Sequence, residues 1–301
     1  MNRIYQIVLF LITLTLVGQA AAVNIAVVVW RGETIAEKGF VDELNRLGLN
    51  PQIEIFDTNQ DRKQLTNILR QRLQANLNHY DYVYTFGTTV SETVKTFLKG
   101  AKPQIFNIVA DPVGSALIAE DRLGRDNTIG VTNSVATEKQ IENARTVFSF
   151  KHLAVPYNPR ESNSTLVIAK LKEAGQRYGF SVEPVRIQPD DDHWVASLQP
   201  IFDSKTVDAV YLPPDSYLIS QADKVIALFN DKKIPTICAV SQYLKKGCLM
   251  GTVANYETLG KMAAGIVDRL QKGEVIAGIS LASDPTPTFQ VNEALKSQLG
   301  L

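Results

Sequence analysis

The chain has 301 residues, and its 31 basic and 31 acidic side chains give a formal net charge of zero. Proteins that bind nucleic acid through phosphate contacts need a basic excess or basic runs, so this composition argues against that class of partner. A chain of this length more often folds as two domains than as one, because single cores stop growing at about 250 to 300 residues.

The first segment has the pattern of a secretory signal peptide. Arg3 supplies a positive end, residues 7–17 form an apolar core, and Ala20 to Ala22 supply small residues for cleavage. We predict cleavage after Ala22, which makes residues 1–22 the signal peptide and places the mature protein in the periplasm. The apolar core is shorter than the roughly 20 residues that span a bilayer. No cysteine lies near the predicted cleavage site, so we expect no lipid anchor.

The elements that follow alternate between strand and helix. Continuous apolar runs predict strands at 25–30, 53–56, 82–86 and 104–110. Apolar residues at helical spacing predict helices at 40–47, 65–73 and 91–98. Buried strands that alternate with helices favour a parallel sheet covered on both faces.

The same order of elements restarts at His152, with a predicted helix at 164–178 and a strand at 181–187. The runs that begin Asp81-Tyr-Val-Tyr and Asp208-Ala-Val-Tyr lie 208 − 81 = 127 residues apart. The alternative is coincidence, since any doubly wound protein repeats strand and helix. Because order, spacing and boundary residues agree, we predict an α/β protein of two Rossmann-like lobes with parallel sheets.

Polar side chains follow the predicted strands, where the ligand crevice of an open parallel sheet lies. Their hydroxyl, amide and carboxylate groups suit a small polar ligand, with an aromatic residue as an apolar wall. The predicted ligand contacts at these strand ends are Trp30, Thr88, Thr89, Asp111, Asn158, Asp215 and Ser241. The alternative for Thr88, Thr89, Asn158 and Asp215 is that they cap the helices that follow, and the two roles can coexist.

Asp111 follows an apolar strand that Pro112 ends, because proline has no amide hydrogen for the next ladder bond. Two roles remain open for its carboxylate: a ligand anchor, or a cap on the turn through Val113 and Gly114. A second open question concerns Cys238 and Cys248, which either form a disulfide or remain two buried thiols in neighbouring strands.

Motifs for catalysis are missing from the sequence. It contains no Gly-x-Ser-x-Gly elbow, no phosphate-binding loop and no His-Glu-x-x-His. The run Asp190-Asp-Asp-His193 suggests either a metal site or a helix start, and the absence of spaced partner ligands favours the helix start. We therefore predict no catalytic residue, no metal and no cofactor.

Several motifs, taken in chain order, resemble those of one family. They are Pro103-Gln-Ile-Phe-Asn-Ile-Val-Ala-Asp-Pro-Val-Gly, Ile129-Gly-Val-Thr-Asn, Tyr157-Asn-Pro-Arg-Glu-Ser-Asn-Ser, Val210-Tyr-Leu-Pro-Pro-Asp-Ser, Lys233-Ile-Pro-Thr, Tyr256-Glu-Thr-Leu-Gly and Val291-Asn-Glu-Ala. The chain resembles the ABC transporter substrate-binding proteins that include tryptophan and tyrosine binders. The resemblance covers nearly all of the predicted mature chain.

The resemblance implies a type I periplasmic-binding-protein architecture, in which two lobes are joined by three crossings and close on a ligand in the cleft between them. We expect the crossings near Val131, Thr252 and Pro285. The implied lobe limits are 23–131 plus 253–284 for lobe 1, and 132–252 plus 285–301 for lobe 2.

The resemblance also implies ligand contacts in the crevice loops. It adds Ser164 to the predicted set and places Thr88, Thr89 and Asp111 opposite Asn158, Ser164 and Asp215. Asp111 or Asp215 would then pair with the ammonium group of an amino acid. The chain departs from the family at Ala239-Val240, where many members carry Ser-Asp, so the class of ligand stays open.

We expect a monomeric periplasmic protein that captures a small molecule, such as an amino acid or a related compound, by hinge closure and delivers it to an inner-membrane ABC permease. The alternative is a sensor that presents its ligand state to a membrane kinase or cyclase, which would use the same closure. An exported hydrolase is disfavoured, because no nucleophile and base occupy related strand ends.

Overall fold

The computed structural model describes residues 22–189 and 194–301. The predicted signal segment, apart from Ala22, and the run from Asp190 to His193 lie outside the described residues. No helix in the described part of the chain is long and apolar enough to cross a membrane.

Twelve strands, numbered in chain order, form two six-stranded sheets within the described residues. The strands are β1 (Asn24–Val29), β2 (Gln52–Asp57), β3 (Tyr82–Phe86), β4 (Gln104–Val109), β5 (Thr128–Thr132), β6 (His152–Tyr157), β7 (Ser181–Arg186), β8 (Ala209–Leu212), β9 (Thr236–Cys238), β10 (Met250–Val253), β11 (Ala282–Ser283) and β12 (Thr288–Val291). The first sheet has the order β11-β5-β4-β3-β1-β2, and the second has the order β12-β10-β9-β8-β6-β7.

The strands pair in parallel, except that β12 runs antiparallel to β10. Every residue of β3, β4 and β5 is buried, because helices cover both faces of the first sheet. This double coverage explains the continuous apolar runs, and it confirms the predicted fold class of two parallel-sheet α/β lobes.

The main helices, again in chain order, lie between the strands, except for the last, which follows β12. They are α1 (Ile35–Arg46), α2 (Arg62–Asn67), α3 (Thr88–Leu98), α4 (Thr137–Arg145), α5 (Ser162–Tyr178), α6 (Gln199–Asp203), α7 (Ser216–Ser220), α8 (Ala222–Asp231), α9 (Ser241–Leu244), α10 (Tyr256–Gln271) and α11 (Glu293–Leu299). A π-helical stretch (Ile68–Leu73), a single turn (Gln74–Asn76) and a 3-10 turn (Leu77–His79) extend α2.

Polar side chains begin several helices by accepting hydrogen bonds from the first free backbone amides. Thr34 and Glu37 form a capping box at α1, Asp61 caps α2, and Asn255 caps α10. The helix predicted at 91–98 begins earlier, at Thr88. Gly87 is its cap residue and turns the chain directly from β3 into α3 with a φ of +84°.

Helix α10 returns to the first lobe and packs against α1. Two glycines, Gly39 on α1 and Gly260 on α10, lie at the contact. A Cβ atom on Gly260 would meet the backbone of Ala36 and Phe40, and one on Gly39 would meet the backbone of Glu257. The absence of side chains at these two positions therefore allows the helices to approach backbone to backbone.

The chain passes between the sheets three times: after β5, between β10 and β11, and between β11 and β12. We call the part built on the first sheet lobe 1 and the part built on the second sheet lobe 2. The predicted lobe limits stay a proposal, which these sheet memberships support.

Cys238 and Cys248 form a disulfide, with their Cα atoms 6.6 Å apart. The bond answers the question that the sequence left open between paired and free thiols. It joins the end of β9 to the residues before β10, and so closes the short loop that carries α9 and Ser241.

Candidate functional site

A cavity of about 660 Å³ lies between the two lobes. Its volume falls within the range of small-molecule sites. Residues of lobe 1 that line it are Trp30, Gln60, Asp61, Arg62 and Lys63. Residues of lobe 2 that line it are Asn158, Arg160, Glu161, Pro189, Tyr217 and Ser220. We call this cavity the cleft.

The lobe 2 wall is organised around the carboxylate of Asp215, which is fully buried. One carboxylate oxygen accepts hydrogen bonds from the backbone N–H of Asn158 and the hydroxyl of Ser164, both at 2.7 Å. The other accepts from the backbone N–H of Leu218 at 3.1 Å and so caps α7. Three predicted contacts, Asn158, Ser164 and Asp215, are thereby brought together, but Asn158 alone of the three lines the cleft.

Glu161 is a second carboxylate on the same wall, and it is 5 % exposed. Its oxygens accept hydrogen bonds from the backbone N–H groups of Ser216 at 2.9 Å and Tyr217 at 3.2 Å. Burial, followed by the charge of nearby Asp215, raises the pKa of Glu161 to about 7. Burial also raises the pKa of Asp215, and its hydrogen bonds partly oppose that rise. The lobe 2 wall therefore holds two carboxyl groups that do not both ionise readily.

The lobe 1 wall contains Trp30, which follows β1 and lies 7 % exposed. Its carbonyl oxygen accepts hydrogen bonds from the hydroxyl of Thr58 at 3.2 Å and the backbone N–H of Gln60 at 2.7 Å. These bonds fix the end of the strand beside the loop that leads into α2, whose first residues are Arg62 and Lys63. Of the ligand contacts predicted in lobe 1, Trp30 thus lines the cleft on the side opposite Asn158.

The remaining predicted contacts lie away from the lining of the cleft. Thr88 and Thr89 are the first residues of α3 and are both 5 % exposed. Ser241 is the first residue of α9 and is partly buried. The structure therefore places these three at strand ends, as predicted, without placing them on the cavity. Their contact with a ligand stays a prediction.

Asp111 lies beside a separate cavity of about 490 Å³. Its carboxylate accepts a hydrogen bond from the backbone N–H of Gly114 at 3.0 Å, which is the turn cap that the sequence offered as one alternative. It also forms an ion pair with Lys170 on α5 of lobe 2, with an N to O distance of 2.9 Å. Both observed contacts of Asp111 are with groups of the protein itself. A contact between Asp111 and a ligand stays a prediction.

Two further contacts join the lobes, the first of them between residues that line the cleft. The guanidinium of Arg62 donates to the carbonyl oxygen of Arg160 at 2.7 Å. The hydroxyl of Ser162 donates to the carboxylate of Glu92 at 3.0 Å. Together with the Asp111–Lys170 ion pair, these contacts define an arrangement in which the lobes touch across the cleft.

A polar cluster surrounds the buried hydroxyl of Tyr256 at the start of α10. The side-chain amide of Asn133 donates to it at 3.2 Å. Arg31 and Gln242 make polar contacts with the same hydroxyl, and these contacts, together with that of Asn133, oppose the rise in the pKa of Tyr256 that burial causes. Arg31 comes from lobe 1 and Gln242 from lobe 2, so the cluster lies where the lobes meet.

Glu161 and the residues of this cluster were not among the predicted site residues. A signal for them existed, because Arg31 directly follows Trp30 and Gln242 directly follows Ser241. Asn133 and Glu161 each lie within a motif that carries the family resemblance. Within the described residues, no group of three or more His, Cys, Asp or Glu side chains forms a metal site.

Comparison with known proteins shows the family to which the chain belongs. A sequence model described as ABC transporter substrate binding protein matches residues 22–301. The chain belongs to this family. One relative of this substrate-binding protein is a tyrosine-binding protein from Clostridioides difficile, 22% identical over 264 residues, which covers 86% of this chain and 74% of the relative.

Solved structures show the same fold. An ABC domain in complex with L-Trp from Streptococcus pneumonia has a TM-score of 0.83 at 19% identity, over 93% of this chain and 95% of the other. A conserved domain protein from Vibrio cholerae has a TM-score of 0.82 at 21% identity, with the same coverage. A ligand-free, open substrate-binding protein from Clostridium difficile has a TM-score of 0.69 at 23% identity, again with the same coverage. The substrate-binding protein thus has the type I periplasmic-binding-protein fold.

Proposed function

We propose that this substrate-binding protein captures a small solute in the cleft between its lobes and delivers it to an ABC permease in the inner membrane. The observation that carries the proposal is the cleft itself. Its walls come from strand ends and loops of two separate lobes, so a solute that touches both walls favours the closed arrangement over the open one. Family membership supports delivery to a permease rather than the sensor alternative.

An amino acid is the solute class that we propose. The relative from Clostridioides difficile is named a tyrosine-binding protein, and the structure from Streptococcus pneumonia holds L-Trp. In this chain the cleft combines an indole ring, Trp30, with polar and charged groups from both lobes, including Asn158 and Glu161. Such a lining accommodates a solute with one apolar end and one charged end.

We further propose that the protein acts in the periplasm as a monomer, without a lipid anchor and without covalent chemistry. Export would rest on the signal-like pattern of residues 1–22. In this account the free energy of solute binding shifts an equilibrium between open and closed lobes, and the permease recognises the closed form.

The proposal is tested by calorimetric titration of the twenty L-amino acids, begun with L-tyrosine and L-tryptophan, into protein freed of bound solute by unfolding and refolding. Small-angle scattering on the same samples reports the oligomeric state and any compaction. We expect saturable binding at one site per monomer, with a smaller radius of gyration in the bound state. A folded monomer that binds no member of the panel would contradict the proposed function.

A further inference from the structure

Arg31 lies where the lobes meet, next to Trp30 of the cleft lining but outside that lining itself, and no carboxylate of the described residues pairs with it. It follows Trp30 at the end of β1, and its guanidinium lies over the ring of Phe86, 5.5 Å from the ring centroid. Its positive charge acts on the buried hydroxyl of Tyr243, which belongs to α9 in lobe 2. The guanidinium is therefore directed from lobe 1 toward the opposite lobe.

No carboxylate among residues 22–189 and 194–301 forms an ion pair with Arg31. The side chain is partly buried, and burying a charge without a partner costs free energy. A comparable arginine of the same lobe, Arg72, lies 4.6 Å from the ring centroid of Phe56 and also pairs with Glu54. Arg31 has the same stacking on a phenylalanine without the acid.

Tyr256 and the residues around it place Arg31. The Tyr256 hydroxyl accepts a hydrogen bond from Asn133 at 3.2 Å, and Arg31 and Gln242 lie in polar contact with the same hydroxyl, so three separate segments of the chain meet there. This network limits the orientations open to the guanidinium, so that part of the entropy of ordering it is lost before any ligand arrives. An arginine held in this way is preorganised to receive the two oxygens of a carboxylate.

Two unpaired acceptor atoms in the same cluster provide an independent observation that favours ligand binding there. Within the described residues, the carbonyl oxygens of the Asn133 and Gln242 side chains are buried and have no hydrogen-bond partner. Asn133 is 7 % exposed and lines a small cavity, of about 30 Å³, between the lobes. An unpaired buried acceptor destabilises the folded protein, and a donor on a bound molecule would remove that cost.

The charges on the two sides of this region are complementary. Tyr243 experiences the positive charge of Arg31 and the negative charges of Asp215 and Glu161. The cation comes from lobe 1 and the two carboxyl groups come from lobe 2. A solute that carries a carboxylate at one end and an N–H donor at the other matches this polarity, provided that its carboxylate faces lobe 1.

We infer that Arg31 is the receptor for the carboxylate of the bound solute, and that Tyr256, Asn133 and Gln242 hold its guanidinium in position. This inference rests on the proposed function and adds to it the end of the solute that lobe 1 recognises. It assigns the charge recognition of lobe 1 to an arginine, whereas the family resemblance implied an ammonium partner, either Asp111 of lobe 1 or Asp215 of lobe 2.

The test compares each amino acid that binds the wild type with its decarboxylated amine, for example L-tyrosine with tyramine and L-tryptophan with tryptamine. Calorimetry gives both dissociation constants for the wild type, Arg31→Gln and Arg31→Lys. We expect the wild type to bind the amino acid at least about 30-fold more tightly than the amine, a typical loss when one partner of a buried charge pair is removed. In Arg31→Gln this preference should disappear through weaker binding of the amino acid, while binding of the amine changes little.

Arg31→Lys keeps the charge but not the planar fork, so it should retain part of the preference. Arg72→Gln is the matched control, since it removes an arginine of the same lobe that also stacks on a phenylalanine, and it should keep the wild-type preference. Thermal melts without solute verify that each variant is folded.

Three outcomes would overturn the inference. If the wild type binds amine and amino acid equally, no carboxylate is recognised. If Arg31→Gln weakens both by the same factor, the arginine supports the structure only. If no amino acid binds at all, the proposed function fails and the inference falls with it, whereas the first two outcomes leave the proposed function intact.

Discussion

Glu161 and Asp215 show how single residues of the cleft depend on partners that lie far away in the sequence. Asp215 accepts hydrogen bonds from Asn158, Ser164 and Leu218, and the first two precede it by more than 50 residues. The sequence placed Asn158 and Asp215 at strand ends correctly, because the end of an apolar run is a local feature. It could not assign their mutual hydrogen bonds, which depend on how the loops after β6 and β8 pack together.

The raised pKa of Glu161 predicts a specific pH dependence of stability. Because its pKa in the folded protein is about 7, against 4.5 for an unperturbed glutamate, the folded state keeps a proton that the unfolded state has lost between these two values. The free energy of unfolding contributed by this group therefore falls as the pH rises from 4.5 to 7, and it is constant above that window.

The variant Glu161→Gln removes this titration, so its free energy of unfolding should fall less than that of the wild type between pH 4.5 and 7. Urea denaturation at several pH values across the window measures both slopes. Since the more distant carboxyl groups are common to both proteins, the difference between the slopes reports Glu161 together with the change that its removal causes in the neighbouring Asp215. Parallel slopes in the two proteins would contradict the assigned pKa.

At the scale of elements, most strands and helices were predictable, because apolar runs and helical spacing are written in local sequence. The close packing of α1 on α10 could not be predicted from the sequence, since Gly39 and Gly260 lie more than 200 residues apart. Their role appears only when the two helices are seen to approach through their backbones. The sequence did not decide whether Cys238 and Cys248 form a disulfide for a similar reason, because their spacing alone does not give the distance between their Cα atoms.

Gly260→Ala should destabilise the protein by about 1 to 3 kcal/mol, because the added methyl group overlaps the backbone of Ala36 and forces the helices apart. Gly265→Ala, on the same helix, is the matched control. A Cβ atom there would meet nothing within 4 Å, so the higher helix propensity of alanine should stabilise the protein by up to about 1 kcal/mol. Urea denaturation measures both changes. Equal effects of the two substitutions would refute the close-packing account.

At the scale of the whole molecule, the ion pair between Asp111 and Lys170 links lobe 1 to lobe 2. Asp111 has 12% of its side chain exposed and Lys170 has 43%, so the pair is partly screened by solvent. Two further contacts between the lobes, Arg62 with Arg160 and Glu92 with Ser162, act in the same direction. We expect all three to favour the closed arrangement modestly.

Lys170→Met should weaken solute binding about two- to fivefold at low salt, which corresponds to a partly exposed ion pair of roughly 0.5 to 1 kcal/mol. The difference from the wild type should shrink at high ionic strength, because salt screens the pair. Lys172→Met removes an exposed lysine of the same helix and should bind as the wild type does. Calorimetry at two salt concentrations measures these affinities, and a loss that is independent of salt would argue against an ionic contact.

The central claim is that the cleft between the lobes holds a small solute that closes them. Small-angle scattering of solute-free protein, before and after addition of an amino acid that binds in calorimetry, tests it most directly. We predict that the bound protein reproduces the scattering profile calculated from the present structure, while the solute-free protein has a larger radius of gyration. Identical profiles with and without a bound solute would contradict the claim that binding closes the cleft.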